Sequence, residues 1–237
     1  MAVVHSEHLS KQFDADLEGL RSHVLQMGGL VESQILAAIE GFATGNRELI
    51  ERVIGNEPRV NGYEVTIDGD CSHAIVKRQP AASDLRMIMA ISKTVTDLER
   101  IGDEAEKIAR MSKQIHERDR LQVHRFGEIR HVGNIAVQML RQALDAFARL
   151  DAAQAAQVVR EDATIDDEFR SIVRQLVTFM MEDPRTISSA LEIVWIAKAI
   201  ERIGDHAKNM AENVIYIVKG TDVRHTRFED LEREAKS

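Results

Sequence analysis

Apolar residues recur every three to four positions along most of the chain. Leu17, Leu20, Val24, Met27, Val31, Ile35, Ala38 and Phe42 form one such stripe, the period of a helix that buries one face. The spacing predicts six helices, over about 6–44, 47–77, 83–116, 124–149, 151–181 and 186–218. Gly28-Gly29 weakens the first locally, since each mid-helix glycine costs up to ~1 kcal/mol. Gly45-Asn46 ends it and caps the second, which Pro58 is expected to bend or divide near Asn56. Ser83 is placed to cap the third helix and Asp151 the fifth; Gly220 lies just past the sixth, where a C-terminal glycine belongs. Met87, Met89, Met180 and Met181 read as bundle packing, and Trp195 as core or interface. No strand pattern competes, so the fold class is all-α.

The helices come in two sets of three. Glu99-Arg100-Ile101-Gly102-Asp103 returns as Glu201-Arg202-Ile203-Gly204-Asp205, and the likeness continues outside the pentapeptide, with Leu98 answering to Ile200 and Ala105 to Ala207. The organisation expected is a first three-helix unit over 1–117, a linker at 118–123, a second unit over 124–220, and a flexible polar tail at 221–237. Short connections make the helices of each unit antiparallel neighbours. The whole is then two tandem three-helix bundles related by a pseudo-twofold.

Composition narrows the function. A net charge of −8 opposes a nucleic-acid partner or direct binding to an anionic membrane. A single cysteine, Cys71, forbids an intramolecular disulfide and a Cys-based zinc site. No apolar run approaches the ~20 residues that span a bilayer, and the start of the chain lacks the pattern of a signal peptide. The expected location is the cytoplasm.

The chemistry worth following is carboxylate. Glu and Asp four residues apart share one helix face, so Glu99/Asp103 and Glu201/Asp205 each offer paired oxygen ligands. Asp162 and Asp166 on the fifth helix have the same spacing. Aligning Val53 with Val158 puts Glu57 and Asn61 at the matching positions of the second helix. Four hard oxygen donors from two helices suit Mg, Ca, Mn or Fe. The alternative is a solvated acidic face balanced by Arg100 and Arg202. Gly102 and Gly204 would let a neighbouring helix approach closely. Glu128-Ile129-Arg130-His131 supplies one Glu-x-x-His, where a di-iron bundle needs two. No phosphate-cradling glycine loop or nucleophile elbow is present, so no catalytic residues are assigned.

Gln79-Pro80-Ala81-Ala82-Ser83-Asp84-Leu85-Arg86, Asp97-Leu98 leading into the first pentapeptide, and the second pentapeptide followed by His206-Ala207 together resemble the PhoU family. The resemblance covers nearly the whole chain. It implies two three-helix bundles, frequent homodimers, and metal held by Glu/Asp-x-x-x-Asp motifs: Mg, Mn, Zn or Fe. Transferred by motif, the ligands are Glu99, Asp103, Glu201 and Asp205, with Asp162 and Asp166. Glu57 and Asn61 depart from the pattern, so the first site is expected to bind more weakly. The resemblance further implies a non-enzymatic negative regulator of phosphate uptake and of the phosphate-starvation response. Such a regulator links the ATPase subunit of a phosphate ABC transporter to a sensor histidine kinase, and meets the membrane only through those partners. Rival readings are a ferritin-like metal oxidase and a purely structural scaffold.

Overall fold

The computed structural model describes residues 3–118, 127–224 and 226–236, and among these there is no strand. Six long helices follow in order: α1 (Val3–Thr44), α2 (Arg47–Arg78), α3 (Ala82–Arg118), α4 (Gly127–Arg149), α5 (Ala152–Glu182) and α6 (Ile187–Lys219). A short 3-10 turn, Pro184–Thr186, leads into α6, and a seventh helix, α7 (Phe228–Lys236), closes the chain. Apart from Arg118, which ends α3, the expected linker at 118–123 lies outside the described residues.

The ends of the helices have local causes. Asn46 has extended backbone, and its side chain accepts from the Glu48 and Leu49 amides at 3.0 and 3.3 Å; Asp151 accepts from the Gln154 amide at 3.0 Å. Gly220 stops α6 with φ +79°, and its amide donates to the Tyr216 carbonyl. Ser83 is not a cap. Helix α3 begins at Ala82, with the Leu85 amide already bonded to the Ala81 carbonyl, so Ser83 lies in the first turn. Pro58 does not divide α2, which runs unbroken from Arg47 to Arg78. Its ring faces solvent, and the one carbonyl it leaves without an amide partner is that of Ile54, four residues back.

Helices α1, α3, α6 and α4 pack as a square, each against the next, with α2 in the outer groove of α1 and α3 and α5 in that of α4 and α6. The two units therefore share one continuous apolar core. Across the middle, α1 and α4 run antiparallel and interlock reciprocally. A Cβ on Gly28 would stand 2.5 Å from Leu144 Cδ2, and a Cβ on Gly133 2.3 Å from Ile39 Cδ1. Gly28 and Gly133 are equivalent positions of the two units, as are Ile39 and Leu144. One contact has thus been made twice about a pseudo-twofold, and the absence of a side chain at each glycine is what permits the approach.

The tail departs from expectation. Val223 is buried, and Leu231 and Ala235 are buried where α7 packs on α5. Arg160 of α5 stacks on the Phe228 ring at 5.0 Å and pairs with Glu232 at 3.1 Å. Phe228, Leu231 and Ala235 form an apolar stripe at helical spacing, which is why a short polar segment is ordered here. The methionines also divide. Met87 and Met180 pack against the core as expected, whereas Met89 and Met181 are exposed. Trp195 is half-exposed and not a core residue.

Candidate functional site

Helices α3 and α6 meet in antiparallel register. Arg86 lies against Gly220, Lys93 over the Tyr216 ring, Asp97 beside Asn209 and Glu104 beside Arg202. This register sets Gly102 level with Gly204, so the two pentapeptides flank the pseudo-twofold. Each glycine receives a side chain from its own unit's outer helix. A Cβ on Gly102 would be 3.1 Å from Val60 Cγ1 of α2, and one on Gly204 2.8 Å from Ile165 Cδ1 of α5. The close approach expected of these glycines is present, and it draws the outer helix toward the carboxylates.

In the first unit, Glu99 and Asp103 of α3 sit opposite Glu57, Asn61 and Glu64 of α2. Asn61 donates through Nδ2 to Glu57, while its Oδ1 is buried without a hydrogen-bond partner. Burial, then Asp103 and Glu64, holds Glu99 above the ordinary carboxylate range. Burial, then Glu57 and Glu106, does the same to Asp103, and burial with Asp68 does so to Glu64. Arg100 reaches only to 3.7 Å of Glu99, and Arg110 is engaged by Glu106 at 2.5 Å. Too many carboxylates share too little positive charge, and each disfavours its neighbour's ionisation.

In the second unit, Asp162 and Glu201 are buried, at 7% and 9% exposure. Here lysines neutralise the acids. Lys198 Nζ lies 2.6 and 2.5 Å from the Glu201 oxygens, and Lys208 Nζ 2.7 Å from Asp162 Oδ2. Burial pulls the Lys208 pKa down, but the hydrogen bond to Asp162 and the nearby carboxylates leave it raised. Asp205 is held high by burial and then by Glu201 and Asp162. Asp166 faces Arg170 at 3.7 Å. Between α5, α6 and α7 a cavity of about 520 Å³ opens beside Asp162 and Asp166, with Lys208, Glu212, Phe228 and Leu231 in its walls.

All eight sequence-selected residues thus fall at the α2–α3 and α5–α6 contacts. Among the described residues, no three His, Cys, Asp or Glu side chains converge closely enough to hold a metal ion as they stand. In the second unit, ammonium groups stand where a cation would. The first cluster fits a hard cation better: its acids lack an ammonium, and the orphaned Asn61 oxygen is a ready donor. Sequence reasoning missed Glu64, Asp68 and Glu106, although Glu57, Asn61, Glu64 and Asp68 lie on one helical stripe. It also missed Lys198 and Lys208, which stand where the first unit has Thr96 and Glu106. His206 and Glu104, equivalent by sequence, both enter the α3–α6 seam. His206 Nδ1 lies 2.9 Å from Asp97, and Glu104 pairs with Arg202 at 3.1 Å and Lys107 at 3.2 Å. The lone Glu-x-x-His ends in an exposed His131 on α4.

Comparison with known proteins places this arrangement. The PhoU domain family model matches the chain twice, over residues 24–112 and 129–214. The phosphate-specific transport system accessory protein PhoU homolog of Pseudomonas aeruginosa is 47% identical over 98% of this chain and 96% of its own length. The accessory protein PhoU of Escherichia coli K12 is 46% identical over 96% of this chain and 94% of its own. A crystal structure of PhoU from P. aeruginosa superposes with a TM-score of 0.84 at 48% identity, covering 88% of this chain and 100% of that one.

Proposed function

Because the chain belongs to the PhoU family, we propose that it is a regulatory accessory protein of a phosphate transport system. In this reading it works in the cytoplasm without catalysing a reaction, as a homodimer. It restrains phosphate uptake and represses the starvation response when phosphate is plentiful, by bridging the transporter's ATPase subunit and a sensor histidine kinase. The observation that carries the reading is likeness along nearly the full length to accessory proteins of that system, in sequence and in fold. Among the described residues no helix is long and apolar enough to cross a membrane, consistent with membrane contact through partners. Deleting the gene tests the reading. Alkaline phosphatase or another starvation reporter should switch on in phosphate-rich medium and return to the repressed level on complementation. A reporter unchanged by deletion would overturn it.

The acids belong to the same reading. Glu57, Asn61, Glu99 and Asp103 would hold a hard cation such as Mg or Mn, or Fe or Zn as the family resemblance implies, with Glu64 adding charge. The cation would relieve their mutual repulsion and fix α2 against α3. Asp162, Asp166, Glu201 and Asp205 would bind one only after Lys198 and Lys208 swing away. The first site is therefore the stronger of the two, despite Asn61.

A further inference from the structure

Two helix hairpins, α2–α3 and α5–α6, stand at opposite ends of the molecule. They are alike in apolar surface and opposed in charge. Val76, Leu85 and Met89 are exposed at the first, and Met181, Ile187 and Leu191 at the second. These positions are equivalent one for one in the two units. The side chains differ throughout, yet apolar character and exposure persist. Charge does not. The exposed Lys77 beside Val76 answers to the exposed Glu182 beside Met181. Arg86 and Lys93 flank the first apolar stripe, where the second has Ser188 and Trp195; the one acid between Val76 and Lys93 is Asp84. Asp183 follows Glu182 and pairs with Arg185 at 2.8 Å. Glu182 closes the last turn of α5, where the helix dipole disfavours a negative charge, so the helix itself gains nothing from it.

Leu85 and Met89 lie on the side of α3 left open by α1, α2 and α6; Ile187, Leu191 and Trp195 lie on the side of α6 left open by α3, α4 and α5. Both stripes are therefore on the face where the pseudo-twofold emerges between the pentapeptides. In the antiparallel register they are about 30 residues apart along the helices, or ~45 Å.

We infer that this face closes on a second copy of the chain in an antiparallel, isologous pair, the basic hairpin of each copy seated on the acidic hairpin of the other. Charge selects the occupant. A partner built of two identical subunits offers one surface twice, and one surface does not complement a basic end and an acidic end alike. Charge also selects the arrangement. About a twofold axis along the helices, Lys77, Arg86 and Lys93 would meet their own counterparts. About an axis across the helices, each basic end meets an acidic one, and Lys93 of one copy comes to Trp195 of the other, an ammonium to an indole. Both contacts then form at once, the second effectively intramolecular, and the pair is closed. Joining the poles end to end would build an open string and leave uncovered the stripes, which run along the face.

This pairing rests on the homodimer proposed above and gives it a surface. Sedimentation equilibrium over a wide range of concentration tests it. The samples are wild type, Lys77→Glu, Glu182→Lys, the combined charge swap, an equimolar mixture of the two single variants, and Leu191→Asp, each checked for native helicity and melting. Wild type should be a dimer that grows no further. Each single reversal sets like charges together at both contacts and should weaken self-association about tenfold. The combined swap and the mixture restore opposite charges at both contacts and should recover the wild-type constant. Leu191→Asp should weaken it about a hundredfold. A dimer that keeps its constant through every variant would overturn the pairing alone and leave the homodimer to another face. A monomeric wild type would overturn the pairing and the homodimer together. Species that lengthen with concentration would show end-to-end joining and overturn the pairing too. The starvation reporter on gene deletion answers independently of all three. If Leu191→Asp disturbs folding, Leu191→Ser takes its place, and the charge reversals, at exposed positions, read the same contact.

Discussion

The two carboxylate clusters descend from one motif and have become different objects. Both keep Glu-Arg-Ile-Gly-Asp on the inner helix and a glycine that accepts a branched side chain from the outer one. What differs is the company. Where the second unit has Phe169, Val173, Lys198 and Lys208, the first has Glu64, Asp68, Thr96 and Glu106. The second cluster carries its own counter-ions and serves as a salt-bridged joint. The first is left with surplus negative charge. A motif therefore fixes where carboxylates stand, and its neighbours decide whether they are neutralised from within the chain or from outside.

Removing the lysines should break the contrast most sharply. Lys198→Met with Lys208→Met leaves buried Glu201 and Asp162 unpaired and should destabilise the fold by about 2–4 kcal/mol in urea titration with chelator. It should also give the second cluster the cation response predicted for the first. A stability unchanged by the double substitution would mean that these ion pairs contribute nothing. Next in size is the cation effect on wild type. Mg or Mn at a hundred times its Kd should stabilise the fold by about 2.7 kcal/mol. Glu99→Gln/Asp103→Asn should abolish that gain and raise the melting temperature in chelator, whereas Glu201→Gln/Asp205→Asn should leave the gain in place.

Acidity sharpens the comparison further. Glu64, Glu99 and Asp103 are held above their ordinary pKa values, chiefly by burial. Glu212 is raised by burial to about 7. A carboxyl whose folded pKa is raised favours the folded state when protonated. Its contribution is full below the unfolded value and lost as pH rises through the folded one. In chelator, melting temperature should therefore fall from pH 6 to pH 8. Glu212→Gln should flatten that fall near pH 7, while Glu99→Gln/Asp103→Asn should lessen the loss of stability as pH rises above the ordinary carboxylate range. The smallest effect is at α7, which covers only the second unit. Arg160→Ala removes the Phe228 stacking and the Glu232 pair, for about 0.5–1 kcal/mol. Amide exchange across 228–236 should speed up while that in α1 does not change.

Much of this was legible in the sequence. The six long helices, the Asn46 and Asp151 caps and the duplicated pentapeptide follow from period, cap chemistry and repetition, all local properties. The missing pieces depend on three-dimensional context. Lys198 and Lys208 lie where the units disagree, so a search for repetition passes over the residues that make the clusters unlike. Met89 and Met181 keep the apolar period, but a period does not say where a helix outruns its neighbours at a hairpin end. Helix α7 is short, and its Phe228, Leu231 and Ala235 stripe gains meaning only from the α5 surface it covers.

The reciprocal lock of Gly28 with Leu144 and Gly133 with Ile39 has the geometry of an isologous dimer interface whose two subunits have been joined into one polypeptide. The joint between α3 and α4 then has little to do beyond keeping the halves at high local concentration. A chain severed there should reassemble from its two pieces. Each piece should be a poor folder alone, because the core it contributes is completed only by the other.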